Sequence, residues 1–308
     1  MPTPVFGTAQ LFGLTPERES AAVLDAAWEA GFRAFDTAPL YGHGRSEIEL
    51  GLRVGRWPER PTLTSKVGLE PEAAASRGVR TVKAAARRLP AGVQRRLRPG
   101  GDGPPHGSFD PEQVRASVER TVARLGRVDR LMLHEVWADD VTDDLLAVLS
   151  AFVARGDVGQ LGVATGNVEA AAAVRRAPDL LTAAHLEIGP FAPAVEVPPT
   201  VTTVVGHGAL GPGASALRRL SPLLAASGDA AERWRAATAG TRWAGPAGLA
   251  EALVARAAAQ PVAAVIVSTS RPARLASLLD LASGAVPWPP EVAAALDALV
   301  AAAGPGIS

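Results

Sequence analysis

Residues 35–51 read FDTAPLYGHGRSEIELG and hold Tyr41, the chain's single tyrosine. A strand-like run, RAFDT, enters this stretch, and a helix-like run, Ser46–Val54, leaves it. The apolar period changes from short and continuous to helical between the two. One strand followed by one helix is a β–α unit, and the same alternation continues in both directions.

Strand-like runs are PVFGT, RAFDT, TLTSK, DRLMLH, QLGVAT, LTAAHLEI, VTTVVGH and AAVIVST. Helices are expected near Glu17–Ala30, Ser46–Val54, Pro111–Leu125, Asp143–Arg155, Val168–Arg176, Ala230–Ala237, Ala247–Ala259, Pro272–Ala282 and Pro290–Ala302. Thr15-Pro16-Glu17 and Asp110-Pro111-Glu112 read as a cap, a proline at the first helical position and an early acid. Gly31 follows the first helix as a C-terminal glycine should. Eight short strands separated mostly by helices predict a parallel sheet, and with no linker between two halves a closed (β/α)₈ TIM barrel of one domain, residues 1–308. The alternative is an open doubly wound sheet, but no G-x-G-x-x-G follows the first strand.

Two stretches break the rhythm. Residues 70–109, after the third strand, carry seven Arg and one Lys and then a Gly/Pro-rich run. That is long for a strand-to-helix loop, and reads either as a flexible insertion or as an active-site lid at the end of a strand. Residues 189–200, GPFAPAVEVPPT, read as a rigid connector.

Composition narrows the function. Lys plus Arg equals Asp plus Glu at 31 each, so charge balance gives no sign of nucleic-acid or anionic-membrane binding. The absence of cysteine excludes thiol catalysis, disulfides and cysteine-ligated zinc. The first residues, MPTPVFGTAQLFG, do not resemble a signal peptide, and no apolar run reaches the roughly 18 residues of a membrane span. A cytoplasmic location is expected.

In a barrel, functional side chains stand at or just beyond the C-terminal ends of strands. RAFDT brings Asp36 there, with Tyr41 five residues on; TLTSK brings Lys66 and DRLMLH brings His134. A tyrosine is a weak acid, and a nearby ammonium is expected to lower its pKa while an aspartate holds that ammonium charged. A neutral histidine can orient a carbonyl oxygen. Such a group could protonate a carbonyl as hydride arrives, or deprotonate an alcohol in reverse. Singly, each residue has a plainer reading: Asp36 a helix cap, Lys66 solvent-facing, His134 a satisfied core residue. Four in order, each at a strand end, favour a site.

With these residues in view, the chain resembles the aldo-keto reductase family. FDTAPLYGHGRSEIELG is similar to the family's D-T-A-x-x-Y-G-x-(S)-E-x-x-L-G signature, with one residue inserted around His43-Gly44-Arg45. LTSKVG, LMLHEVW and SVERTVARLGRVDRLMLH resemble its lysine strand, its histidine strand and the block before it. The likeness runs from about Val5 to about Leu281, and the long 70–109 segment resembles the branch that includes aldose and pyridoxal dehydrogenases. The resemblance implies a (β/α)₈ barrel, NADPH or NADH as cofactor, and carbonyl reduction on a small-molecule carbonyl or alcohol. It casts Tyr41 as general acid, Lys66 as its partner, Asp36 as the support of Lys66, and His134 as the group that orients the carbonyl.

The cofactor side departs from the family. GVATGN places Ala164 and Thr165 where Ser and Asn grip the nicotinamide amide, with Asn167 close by. His185 replaces the family's glutamine, and His207 a stacking tyrosine. The turn Gly208–Gly213, with Leu210 and Gly211, persists as a pyrophosphate turn. Ser268, Thr269, Ser270, Arg271 and Arg274 resemble the adenosine 2′-phosphate segment, and the paired arginines favour NADPH. Ser277 and Leu278 stand in place of an adenine-binding Glu-Asn pair. Trp137 is expected to line the substrate pocket, Trp28 and Trp57 to pack structurally, and Trp234 and Trp243 to fall where the family's specificity loops lie. These readings favour an NAD(P)H-dependent oxidoreductase; a redox-neutral isomerase, lyase or dehydratase, or a non-catalytic binding subunit, are the alternatives.

Overall fold

The computed structural model describes residues 1–13, 15–71 and 106–304. Eight strands, β1 (Thr3–Gly7), β2 (Ala34–Asp36), β3 (Thr62–Val67), β4 (Val128–His134), β5 (Val158–Ala164), β6 (Leu181–Glu187), β7 (Thr203–His207) and β8 (Ala264–Val267), pair in sequence order. Every pair is parallel, and β8 closes on β1 from Thr3↔Ala264 to Phe6↔Val267. All strands therefore present their C-terminal ends to one rim.

Ten helices surround the strands among the described residues: α1 (Glu17–Glu29), α2 (Arg45–Val54), α3 (Pro111–Leu125), α4 (Asp143–Ala154), α5 (Asn167–Arg176), α6 (Ser215–Ala225), α7 (Asp229–Thr238), α8 (Gly245–Ala258), α9 (Leu275–Ala282) and α10 (Pro290–Ala302). Asp110 caps α3 as expected, accepting from the Gln113 N–H at 3.0 Å with Pro111 in the first turn. Thr15 does not cap α1. Pro16 holds the cap position without a side-chain bond, and Ser20 instead accepts from the Phe12 N–H at 2.8 Å. The expected helix Pro272–Ala282 splits into a short 3₁₀ turn, Pro272–Arg274, and α9. Helix α6 was not expected. Pro222 lies inside it, and a proline reads as a breaker although the helix tolerates it near its end. No helix stands between β6 and β7, where the expected connector runs. Most of the 70–109 segment, with its insertion and lid readings, lies outside the described residues. Its return is tied to the rim by Gly107 N–H to the Glu135 carbonyl and Ser108 N–H to the Gly68 carbonyl, at 3.0 and 2.8 Å. Among the described residues, no helix is long and apolar enough to cross a membrane.

The main core lies between strands and helices. It includes Trp28, stacked on Trp57 with ring centres 4.4 Å apart, as expected of structural tryptophans. Trp234 and Trp243 are buried at 1% and 3% exposure, which makes them core residues and not the walls of a specificity loop. Inside the barrel, Val5, Ala34, Val205 and Ala264 form one buried cluster and Met132, Ala164 and Ala183 another, four of the seven being alanines. Strand alternation sends Lys66 into the barrel and Ser65 outward to the helices.

There Ser65 meets Glu47 of α2, which is fully buried. Glu47 accepts from Ser65 Oγ at 2.7 Å, Thr121 Oγ1 at 3.0 Å and Arg124 at 2.8 Å, so one carboxylate joins α2 to β3 and α3. Gly51, one turn on, lets α2 approach α3 so closely that a Cβ would collide with the Arg124 carbonyl. Replacing Glu47 with alanine leaves three donors unpaired and should cost about 2–3 kcal/mol of stability, read from the urea unfolding midpoint. An unchanged midpoint would contradict this role.

Candidate active site

At the rim a cavity of about 540 Å³ opens into the barrel, walled in part by Asp36, Tyr41, Lys66 and His134. Asp36 ends β2, Lys66 lies near the end of β3 and His134 ends β4, so three neighbouring strands deliver them. Tyr41 comes from the turn after β2. Gly42, His43 and Gly44, the site of the inserted residue, all have positive φ, at 57°, 56° and 87°. Gly42 packs against Phe12, itself at φ 58°, where a Cβ would collide with the Phe12 side chain. Two strained loops thus brace each other and aim the tyrosine inward.

Lys66 Nζ donates to Asp36 Oδ1 at 2.5 Å and to the Thr37 carbonyl at 3.0 Å. The ammonium also stands 4.8 Å from the centre of the Tyr41 ring, close enough for its charge to act on the hydroxyl. Burial alone would lower the Lys66 pKa, but Asp36 and Tyr41 outweigh it and the group is raised, hence held as ammonium. Burial lifts Asp36 above its ordinary value, with Lys66 pulling the other way. Tyr41 is raised as well, because burial exceeds the lowering by Lys66, and Asp36 and Glu135 add to the rise. The sequence-based expectation of a lowered tyrosine is therefore corrected. Lys66 moderates a rise that burial imposes.

The His134 ring lies edge-on to Tyr41, with centres 6.0 Å apart. Its Nδ1 is buried without a partner. Burial, then Lys66, then His207 lower its pKa to about 3. Burial and Lys66 lower His207 to about 4. His185, fully enclosed, lies well below the ordinary value for the same reasons. Three imidazoles around one ammonium are thus neutral at ordinary pH, each with one N–H left to donate.

The rest of the expected set divides. Thr165, His185, His207 and Ser268 line the cavity. Ser268 Oγ is buried and unpartnered, a free hydroxyl for a bound group. Thr165 donates to Glu135 at 3.4 Å. Glu135, at φ 56° directly after His134, is a wall residue that the sequence reading missed, and so is Glu187. Both carboxyls are raised by burial. Asn167 does not join them. Its amide donates to the carbonyls of Glu187 and Pro193 and accepts from the Glu187 N–H, which ties α5 to the end of β6. Gly208 and Gly211 both have positive φ, and with Leu210 they form a tight turn closed by Gly211 N–H to the Gly208 carbonyl at 2.7 Å. Beyond β8, Thr269 Oγ1 accepts from the Arg271 N–H. Ser270, Arg271 and Arg274 are exposed, and neither arginine has an ion-pair partner among the described residues. Ser277 is bonded to Arg242 and Glu251. Trp137 is 45% exposed at the rim and stacks on His106 at 4.0 Å, apart from the cavity wall.

With this arrangement established, comparison with known proteins is decisive. The family model "Aldo/keto reductase family" matches residues 5–301. The chain belongs to the aldo/keto reductase family. Pyridoxal 4-dehydrogenase of Microbacterium luteolum is 45% identical over 65 residues, covering 20% of this chain and 19% of that protein. D-threo-aldose 1-dehydrogenase of a Pseudomonas species is 34% identical over 158 residues, covering 50% of this chain and 44% of that protein. The matches thus span less than half the length of these curated relatives. The structure of glycerol dehydrogenase from Gluconobacter oxydans superposes with a TM-score of 0.67 at 18% identity, over 99% of this chain and 93% of that one. That likeness establishes the barrel alone.

The neutral histidines carry a pH signature. The unfolded chain takes up their protons near the ordinary value of 6.5, whereas the folded one holds out to about 4 at His207 and about 3 at His134. Their stabilising effect is complete above 6.5 and is lost as pH falls below it, by about 1.4 kcal/mol per pH unit for each histidine. Glu135 and Glu187 act in the opposite sense. Histidine NMR at pH 5.5 should show all three rings neutral, and His207→Gln should lose less stability than the natural chain between pH 6.5 and 5. A ring that titrates near 6.5 would refute this.

Proposed function

We propose that the chain is an NAD(P)H-dependent oxidoreductase that reduces an aldehyde or ketone, or oxidises an alcohol or sugar hemiacetal in reverse. The observation that carries this reading is the Tyr41–Lys66–Asp36 chain facing one cavity with a neutral His134. A carbonyl oxygen between Tyr41 and His134 would accept a hydrogen bond from each, and Tyr41, kept protonated by burial, would give up its proton as negative charge develops there. Lys66 stabilises the tyrosinate left behind, and Asp36 keeps Lys66 charged and in place. The nicotinamide, when bound, supplies the hydride.

The residues present fit such a cofactor. Ser268 offers an unpaired buried hydroxyl. The turn from Gly208 to Gly211 lies between His207 and Pro212 of the cavity wall, and Arg271 and Arg274, exposed and without an ion-pair partner among the described residues, favour NADPH over NADH through its 2′-phosphate. The relatives that act as dehydrogenases on an aldose and on pyridoxal support a small polar carbonyl or alcohol as substrate. A redox-neutral proton-transfer enzyme is the second reading. Asn167 is spent on backbone and Glu135 holds Thr165, which leaves the usual nicotinamide grip reduced.

Titration of NADPH fluorescence tests the binding step, and no binding at millimolar cofactor would end the oxidoreductase reading. Tyr41→Phe should lower kcat about 10²–10⁴-fold with NADPH affinity unchanged, and the reduction rate should fall only as pH rises through the raised Tyr41 pKa, with no limb near 6.5. Turnover without NAD(P)H consumption would favour the second reading. Arg271→Ala with Arg274→Ala should weaken NADPH binding about tenfold or more and leave NADH affinity in place. Equal losses for both cofactors would place the 2′-phosphate elsewhere.

A further inference from the structure

The Asp36 carboxylate is half used. Oδ1 accepts from Lys66, while Oδ2 is buried with no hydrogen-bond partner. His185 Nε2 is likewise buried and unpartnered, and it stands 3.9 Å from that oxygen. The two residues come from β2 and β6, which face each other across the closed barrel, and their side chains meet in the lumen. The lumen admits this because the neighbouring inward positions hold small groups, Ala34, Ala164 and Ala183. The two residues are 2–3% exposed, and both atoms are shut off from bulk solvent. Leaving both unpaired is the costlier arrangement, and the last side-chain torsions of Asp and His are soft enough to close the gap.

An ionised carboxylate is the strongest acceptor beside His185. Lys66, Arg130, His134 and His207 face it, two cations and two neutral rings, and Asp36 is the carboxylate within reach. Asp36 and Lys66 in turn face Tyr41, together with Glu135.

We infer that His185 is a positioning residue, whose Nε2–H donates to Asp36 Oδ2 and so fixes the carboxylate that holds Lys66 against Tyr41. The assignment rests on reading Tyr41, Lys66 and Asp36 as the proton-transfer array. It differs from a contact between His185 and the cofactor amide, the place where the family resemblance would set it. With the donor in place, Asp36 stays ionised and Lys66 stays an ammonium beside the tyrosine. Without it, the buried carboxylate draws the Lys66 proton toward itself, and the stabilisation of tyrosinate weakens.

Two measurements on the full chain test this. The first needs no turnover. With only five histidines, ¹⁵N-histidine spectra are assignable by loss of a signal in His185→Gln. His185 should be neutral, carry its proton on Nε2, and shift when Asp36 is replaced by asparagine. A proton on Nδ1, or a signal indifferent to Asp36→Asn, overturns the assignment. The second compares His185→Leu, which removes the donor, with His185→Gln, which keeps one. The leucine variant should lose about tenfold or more in kcat while NADPH affinity stays within about threefold, and glutamine should restore most of the rate. His185→Phe, closer in size, replaces the leucine variant if that one does not fold. A fall in NADPH affinity that accounts for the lost rate would make His185 a cofactor contact, and an unchanged kcat would leave it without a role; either result overturns the proposal. Failure of the natural chain to bind NADPH would instead sink the oxidoreductase reading, with the spectra still deciding the hydrogen bond.

Discussion

The buried ion pair between Lys66 and Asp36 is the constraint on which the rim of this barrel depends. Its side chains are 4% and 5% exposed, so both charges have left water. Desolvation on that scale is tolerable only with close geometry and a further hydrogen bond, which the Thr37 carbonyl accepts. Once the ammonium is fixed, it governs its neighbours. Lys66 is among the causes that depress His134, His185 and His207, and it restrains the rise of Tyr41. Burial comes first at each of these groups, and this one buried charge acts on all of them beside it.

The support for that pair comes from both sides of the sheet. Inside, small side chains leave a lumen in which β2 and β6 can reach one another. Outside, the helical layer presses on β3 through the Glu47 cluster and holds the strand that carries Lys66. The turn after β2 adds local strain, with three successive positive-φ residues immediately after Tyr41. Such strain persists only where surrounding structure over-determines it, and here the Phe12 loop supplies the opposing surface.

Much of this was legible in the sequence because parallel strands and their ends leave clear marks. Continuous apolar runs gave eight strands, and residues at their C-terminal ends gave Asp36, Lys66 and His134. What stayed hidden depends on depth or on distant pairing. Burial decides the direction of the Tyr41 pKa, and burial belongs to the assembled barrel. Asn167 follows a strand end just as a ligand-binding residue would, yet its amide is drawn to backbone left exposed where no helix follows β6. Helix α6 was masked by Pro222, and Trp234 and Trp243 could not be placed in the core before the helices around them were known. The meeting of His185 with Asp36 needs the closure of the whole barrel, since half its circumference separates the two strands.

The Glu47 cluster also explains why so short a stretch says so much. Within residues 36–51, Asp36 answers to the lumen, Tyr41 to the cavity, Gly42 to the Phe12 loop, Glu47 to a buried hydroxyl pair and an arginine, and Gly51 to the backbone of α3. Five neighbours in five directions read the same segment at once. A change that suits one of them offends another, so the segment has little room to drift. Its information content is high because it is the joint where inner wall, outer layer and rim are fastened together.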